Sequence, residues 1–204
     1  MWKSILGISL LLCASATPDE SKAKPSVEVK CCGRLRTGGV AIGGETTGTT
    51  IKFNRTIWEL QFSDDAARSF ASDHHKKQVF VTGTLRKVEG VETKARWIVD
   101  VKTIKECDAT KTKEGAGIKL HGLLQVAKPG SGGASGMSVV TDNQTWPIDF
   151  SAVPTLQMKT DALTGKRILL SGILKQDTKN EANSRTLTIS VRTLEKSERY
   201  SVLR

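Results

Sequence analysis

Aromatic side chains are scarce in this chain: one Tyr, four Trp and five Phe among 204 residues. Binding of unstacked bases relies on exposed aromatic platforms, so every aromatic committed to a core weakens that class of function. Histidine is scarcer, with His74, His75 and His121 alone. His74 and His75 are adjacent, and neighbouring helical residues point about 100° apart, so they cannot face one metal ion together. His121 has no acidic residue near it in sequence. No Ser or Cys stands in a nucleophile-elbow setting, and there is no CxxC pair. These absences leave no catalytic or metal-binding constellation. A non-enzyme without metal or cofactor is expected. Four cysteines are too few for a disulfide lattice. No apolar run approaches the roughly 20 residues that span a bilayer.

What is present at the N-terminus reads as a targeting segment. Lys3 supplies a positive start, Ile5 to Leu12 a short apolar core, and Ala14-Ser15-Ala16 a small-x-small cleavage site. Cleavage near Ala16 is expected, which places the mature chain outside the cytoplasm, periplasmic or secreted. Lipidation at Cys13 is disfavoured, because Leu12 is bulky where such signals carry a small residue. The chain holds 31 Lys+Arg against 21 Asp+Glu, a net charge of +10, and the leader removes only Lys3 to leave +9 (30 − 21). Such a surface favours anionic partners. The cations are spread along the whole length, so solubility explains them equally well. Cys31, Cys32 and Cys107 survive cleavage, and an odd number leaves at least one thiol free or paired between molecules.

The most informative feature is an internal repeat. Val29 to Arg36 matches Ile118 to Gln125, at an offset of 89 (118 − 29). Trp58 to Ser63 matches Trp146 to Ser151 at 88 (146 − 58), and Lys77 to Leu85 matches Lys166 to Leu174 at 89 (166 − 77). Val99 to Ile104 matches Ile189 to Leu194 at 90 (189 − 99). Blocks recurring in one order with so little drift imply two copies of one unit. Within them apolar and polar residues alternate: Val29, Cys31, Leu35; Trp58, Leu60, Phe62; Val79, Val81, Leu85; Trp97, Val99, Val101. That period of two marks half-buried strands. A fifth strand, Thr49 to Phe53, precedes a turn at Asn54-Arg55, and Met137 to Thr141 is its counterpart. Between the third and fourth strands Ser63 can cap a helix, with Ala67, Phe70, Ala71 and His74 on one face. The second copy offers Pro154 as a helix start and Gly165 as its stop, sufficient for a turn or two.

The order β-β-β-α-β-β in about 80 residues resembles the oligonucleotide/oligosaccharide-binding (OB) fold, a five-stranded Greek-key barrel. It is similar in particular to small exported bacterial domains of that fold. These share a glycine in strand one and a GK-x-V-x-V-x-G-x-L stretch in strand four. Here that stretch stands as Gly165 to Leu174, whereas the first copy has Lys76 in place of the leading glycine. The glycines inside first strands, Gly33 and Gly122, and fourth strands, Gly83 and Gly172, suit the sharp bends of a small barrel. The implied fold class is all-β with one short helix per repeat: two tandem five-stranded barrels, residues 27–107 and 118–196. Residues 108–117 form a linker between them, and 197–204 a tail.

In that fold the loops joining strands one to two and four to five flank the binding face. They are Thr37 to Gly48 and Lys87 to Thr93 in the first copy, and Pro129 to Gly136 and Asp177 to Asn183 in the second. A ligand is therefore expected near Lys52, Arg55, Glu59, Gln61, Lys87 and Lys94. Strands one and five are expected to be neighbours, so Cys32 and Cys107 can bridge; the alternative is that all three cysteines are small apolar filler. Asn54-Arg55-Thr56 and Asn143-Gln144-Thr145 fit the N-glycosylation pattern, although turn chemistry alone accounts for Asn there. Trp58 and Trp146 fall on the apolar face, Trp97 with them, which leaves Phe53, Phe80 and Tyr200 for stacking. The expected function is an exported, non-catalytic adaptor contacting an acidic macromolecule or an envelope protein, with nucleic acid an unlikely partner. The alternative is a single-stranded nucleic-acid-binding protein.

Overall fold

The computed structural model describes residues 27–39, 46–89, 96–108, 113–126, 136–141, 144–176 and 187–197. The leader with Cys13, together with Lys94, Asn143 and Tyr200, lies outside them. The elements run β1 (Val27–Arg36), β2 (Thr50–Phe53), β3 (Thr56–Phe62), α1 (Asp65–Asp73), β4 (Gln78–Val88) and β5 (Arg96–Glu106). They continue as β6 (Gly115–Val126), β7 (Met137–Thr141), β8 (Gln144–Asp149), α2 (Pro154–Gln157), α3 (Thr160–Leu163), β9 (Arg167–Gln176) and β10 (Leu187–Lys196). Among the described residues no helix is long and apolar enough to cross a membrane.

In the first half the strand alternation does what its period requires. Val29, Cys31 and Leu35 turn inward from β1, while Lys30, Arg34 and Arg36 face solvent. β1 pairs antiparallel with β2 and β4, β2 with β3, and β4 with β5, and a parallel β3–β5 pairing completes the ring. The result is a closed five-stranded barrel, which leaves no sheet edge open within the ring. Closure brings backbones close: a Cβ on Gly33 would sit 2.5 Å from the Lys52 carbonyl oxygen, so only glycine fits there. The same succession of pairings recurs among β6 to β10. Even the irregularity repeats, since the β4–β5 register shifts at Thr82/Gly83 and the β9–β10 register at Val191/Thr193.

α1 packs against β3 and β5 of the five-stranded barrel. Asp64, not the expected Ser63, caps it: the Asp64 carboxylate accepts from the Ala67 N–H at 2.7 Å. Ala71 is buried, and Ala67 and Phe70 pack on the core. The second half has two single-turn helices in the corresponding place, the first with Pro154 in its opening turn.

The two halves meet strand to strand. β1 pairs antiparallel with β6 from Val27↔Leu120 to Cys32↔Gly115. In this register Val29 lies opposite Ile118, its own counterpart in the repeat, so a local two-fold axis passes between them. β6 starts at Gly115 and Gly117 pairs with Lys30, so the last residues of the expected 108–117 linker are strand. The reason is that β2 pairs only with Arg34–Arg36 and leaves the rest of that β1 edge for β6. The buried side chains form a continuous cluster across this seam. Trp97 of β5, half-buried, packs on Trp146 of β8 with ring centroids 5.2 Å apart. Trp58 and Trp146 occupy like environments, 0% and 1% exposed, each opposite its strand partner, Ile51 or Val139.

One expected neighbourhood is corrected. β1 and β5 are not adjacent, because β4 runs between them. Cys32 lies opposite Phe80 of β4, and the Cys107 N–H donates to the Gln78 carbonyl at the start of the same strand. The Cys32–Cys107 disulfide, with Cα atoms 6.4 Å apart, therefore reaches over the end of β4.

Candidate functional site

The outward face of β1, β2 and β3 presents two cross-strand rows. Arg34, Lys52 and Ile57 form one, and Arg36, Thr50 and Glu59 the other. Arg34, Arg36 and Lys52 are exposed, and Ile57 is 53% exposed, unusual for a large aliphatic side chain. Behind the first row, the Arg34 Nε donates to the Lys76 carbonyl at 3.0 Å in the turn after α1. Lys76 is exposed as well. Among the described residues no carboxylate lies within ion-pair distance of Arg34, Arg36, Lys52 or Lys76. Several cations on one curved face, none directly paired with a carboxylate among the described residues, set up a positive potential that attracts anions.

Lys76 is also strained. Its φ of 65° puts it in the left-handed region, which costs a non-glycine residue about 1–2 kcal/mol. Gly165 is its counterpart, with φ 75°. The turns match bond for bond: Lys76 N–H donates to the Leu35 carbonyl and Gly165 N–H to that of Leu124, and Leu35 and Leu124 donate in return to Lys77 and Lys166.

The expected ligand residues are scattered over different environments. Lys52 lies in the first row. Arg55 is exposed in the β2–β3 turn, where Asn54 adopts φ 49° and its N–H donates to Glu114 at 3.3 Å. Gln61 is exposed, and its amide reaches the Phe62 carbonyl at 3.5 Å. Lys87 sits 3.9 Å from Glu89. Glu59 stands on the outward face but is covered and paired, so it is not free to contact a ligand. Its side chain is 12% exposed, pairs with Arg96 (13% exposed) at 3.4 Å and accepts from the Thr47 N–H at 3.1 Å. Glu59 thus ties the end of the loop between β1 and β2 to the start of β5. Arg34, Arg36 and Lys76 were missing from the expected set. Strand parity alone points to the first two, and the Lys-for-Gly departure points to the third.

The aromatics are largely spoken for. Phe53, expected to be available for stacking, is 2% exposed and meets Trp58 edge-on at 4.7 Å. It shares inward parity with Ile51, whereas Lys52 takes the outer face. Phe80 is half-buried beneath the Lys105 ammonium, 5.4 Å from its ring centroid. The histidines bind the frame: His74 stacks on Phe70 and bridges the Phe70 carbonyl and the Glu106 carboxylate, and His75 Nδ1 meets the backbone N–H and hydroxyl of Thr37. His121 is half-buried on β6 and engaged in an interaction. Among the described residues no group of three His, Cys, Asp or Glu is placed to hold a metal. Cys31 is buried, and burial pushes its thiol up to about 12, which makes it inert.

By sequence, no protein family and no curated protein matches this chain. By structure it is similar to the wild-type single-stranded DNA binding protein from Thermus aquaticus: TM-score 0.52, 13% identity, 89% of this chain and 98% of that one. A deletion mutant of that protein matches over 86% of this chain and 96% of its own, with the same score and identity. At such identity the likeness is one of fold, and the fold is the OB barrel. It corrects two expectations. A non-nucleic-acid adaptor, with an acidic macromolecule or envelope protein as partner and nucleic acid unlikely, is not favoured; the single-stranded nucleic-acid alternative is. The expectation weighs the buried aromatics and export against nucleic acid, and it counts Lys52 and Arg55 but not Arg34, Arg36 and Lys76 among the outward cations.

Proposed function

We propose that this protein binds single-stranded nucleic acid as a non-enzymatic binding protein, through the outward face of β1 to β3 in its first half. The observation that carries this reading is the set of outward cations Arg34, Arg36 and Lys52, with Arg55 in the adjoining turn, none of them within ion-pair distance of a carboxylate among the described residues, on an OB barrel. The fold likeness to single-stranded DNA binding proteins supports it. We read the chain as two tandem barrels, residues 27–107 and 115–196, and the repeated pairings support that division. Export after cleavage near Ala16 belongs to the same reading, supported by a disulfide suited to an oxidising compartment. There the ligand is nucleic acid released into, or passing through, that compartment.

Among the described residues no fully exposed aromatic offers a stacking platform, so on this reading affinity comes chiefly from phosphates. Such binding is nearly indifferent to base sequence and steeply salt-dependent. Four cations engaging phosphates of a single strand give a slope of log K against log salt of about −3, or an affinity loss of roughly 50-fold between about 50 and 200 mM salt. Fluorescence anisotropy with labelled homopolymeric strands measures this slope. Affinity that ignores salt, or no binding of any single strand at low salt, overturns the reading.

A further inference from the structure

We infer that contact with the strand is concentrated on the first half of the molecule, and that Lys76 is a contact residue retained there at a conformational cost. This rests on the single-stranded reading above and adds a location and a residue to it. Two independent observations carry it. The first is the asymmetry of the repeat. The rows Arg34–Lys52–Ile57 and Arg36–Thr50–Glu59 have counterparts in Leu123–Val140–Thr145 and Gln125–Ser138–Pro147. Every charged position of the first set is uncharged in the second. Arg167 of β9, across from Leu123, is already engaged in an interaction.

The second observation is the backbone of Lys76. Two turns with the same hydrogen bonds and nearly the same positive φ hold Gly165 in one half and Lys76 in the other. Glycine is the low-energy solution, and the second half shows that the fold accepts it. Lysine at such a site demands a return that packing does not provide, since Lys76 is exposed. Its carbonyl accepts from Arg34, so the residue stands directly behind the first cationic row. A flexible ammonium there meets phosphate as a point charge.

The test is a set of substitutions in the full-length protein, with thermal unfolding and anisotropy on a labelled single strand read side by side. Lys76→Gly is expected to raise the melting temperature while weakening binding about fivefold near 0.1 M salt and cutting the salt slope by about 0.7. Lys76→Arg keeps affinity within about twofold, and Gln125→Ala in the second half leaves it unchanged. Stability and affinity moving in opposite directions is what a merely structural role cannot produce. If the wild type binds with a steep salt slope but Lys76→Gly binds equally well, or two short strands bind each chain with equal affinity, the inference fails and the broader reading stands. If the wild type shows no salt-dependent binding, the broader reading fails first.

Discussion

At the scale of single residues, a side chain's role is set by what its neighbours leave it. Asp149 of β8 illustrates this with a measurable consequence. Partial burial pushes its carboxyl up, but hydrogen bonds from the Ser151 hydroxyl (2.7 Å) and backbone N–H (2.9 Å), together with Lys175, hold it below its ordinary value of 3.8. A carboxyl whose folded pKa is depressed adds stability that is complete above the ordinary value and is lost as pH falls through the folded one. Ser151→Ala is therefore expected to lower the unfolding midpoint at pH values above the ordinary carboxyl range and to converge with the wild type in acid strong enough to protonate Asp149 in both. A deficit that persists unchanged in strong acid would assign Ser151 a packing role instead. Glu59 shows the limit of sequence reading at this scale. Parity places it outward correctly, yet parity cannot foresee that Arg96, thirty-seven positions on, folds over it. Arg34 and Arg36 are legible from the same alternation in β1.

At the scale of elements, strand order and the cross-links between strands decide what local pattern leaves open. Strand positions were legible because buried and exposed residues alternate so regularly; in β4 the pattern holds from Val79 to Leu85. Adjacency was not, because alternation says nothing about which strand lies beside which. The Cys32–Cys107 link depends on that order, since it ties the end of β5 across β4 to β1 over a sequence separation of 75. Replacing both cysteines by serine is expected to cost about 2–4 kcal/mol, read by urea unfolding of the oxidised wild type against the double variant. The same bridge fixes the thiol count. Denatured, unreduced mature protein is expected to alkylate at Cys31 alone, and any further reactive thiol there argues against the bridge.

At the scale of the molecule, the repeat was readable but the way its copies join was not. The offset of 89 says that two units are alike; the decisive fact is that β1 and β6 pair about the position they share, Val29 and Ile118. This arrangement is isologous, with the same strand edge offered by both partners, as at the interface of a two-fold dimer. The buried side of the seam, Val27 and Val29 with Ala116, Ile118 and Leu120, continues the core from one half to the other. A first half lacking its partner exposes the edge of β1 from Val27 to Cys32, together with the part of Trp97 that lies on Trp146. Unpaired strand edges seek another strand, and the edge here complements itself. Residues 27–108 alone are therefore expected to form a dimer in which β1 pairs with its own copy about Val29. Sedimentation equilibrium and cross-linking at a cysteine placed at Lys30 test this. A stable, well-folded monomer at high concentration would mean that the seam follows from the covalent connection and not from the shape of the strand edge.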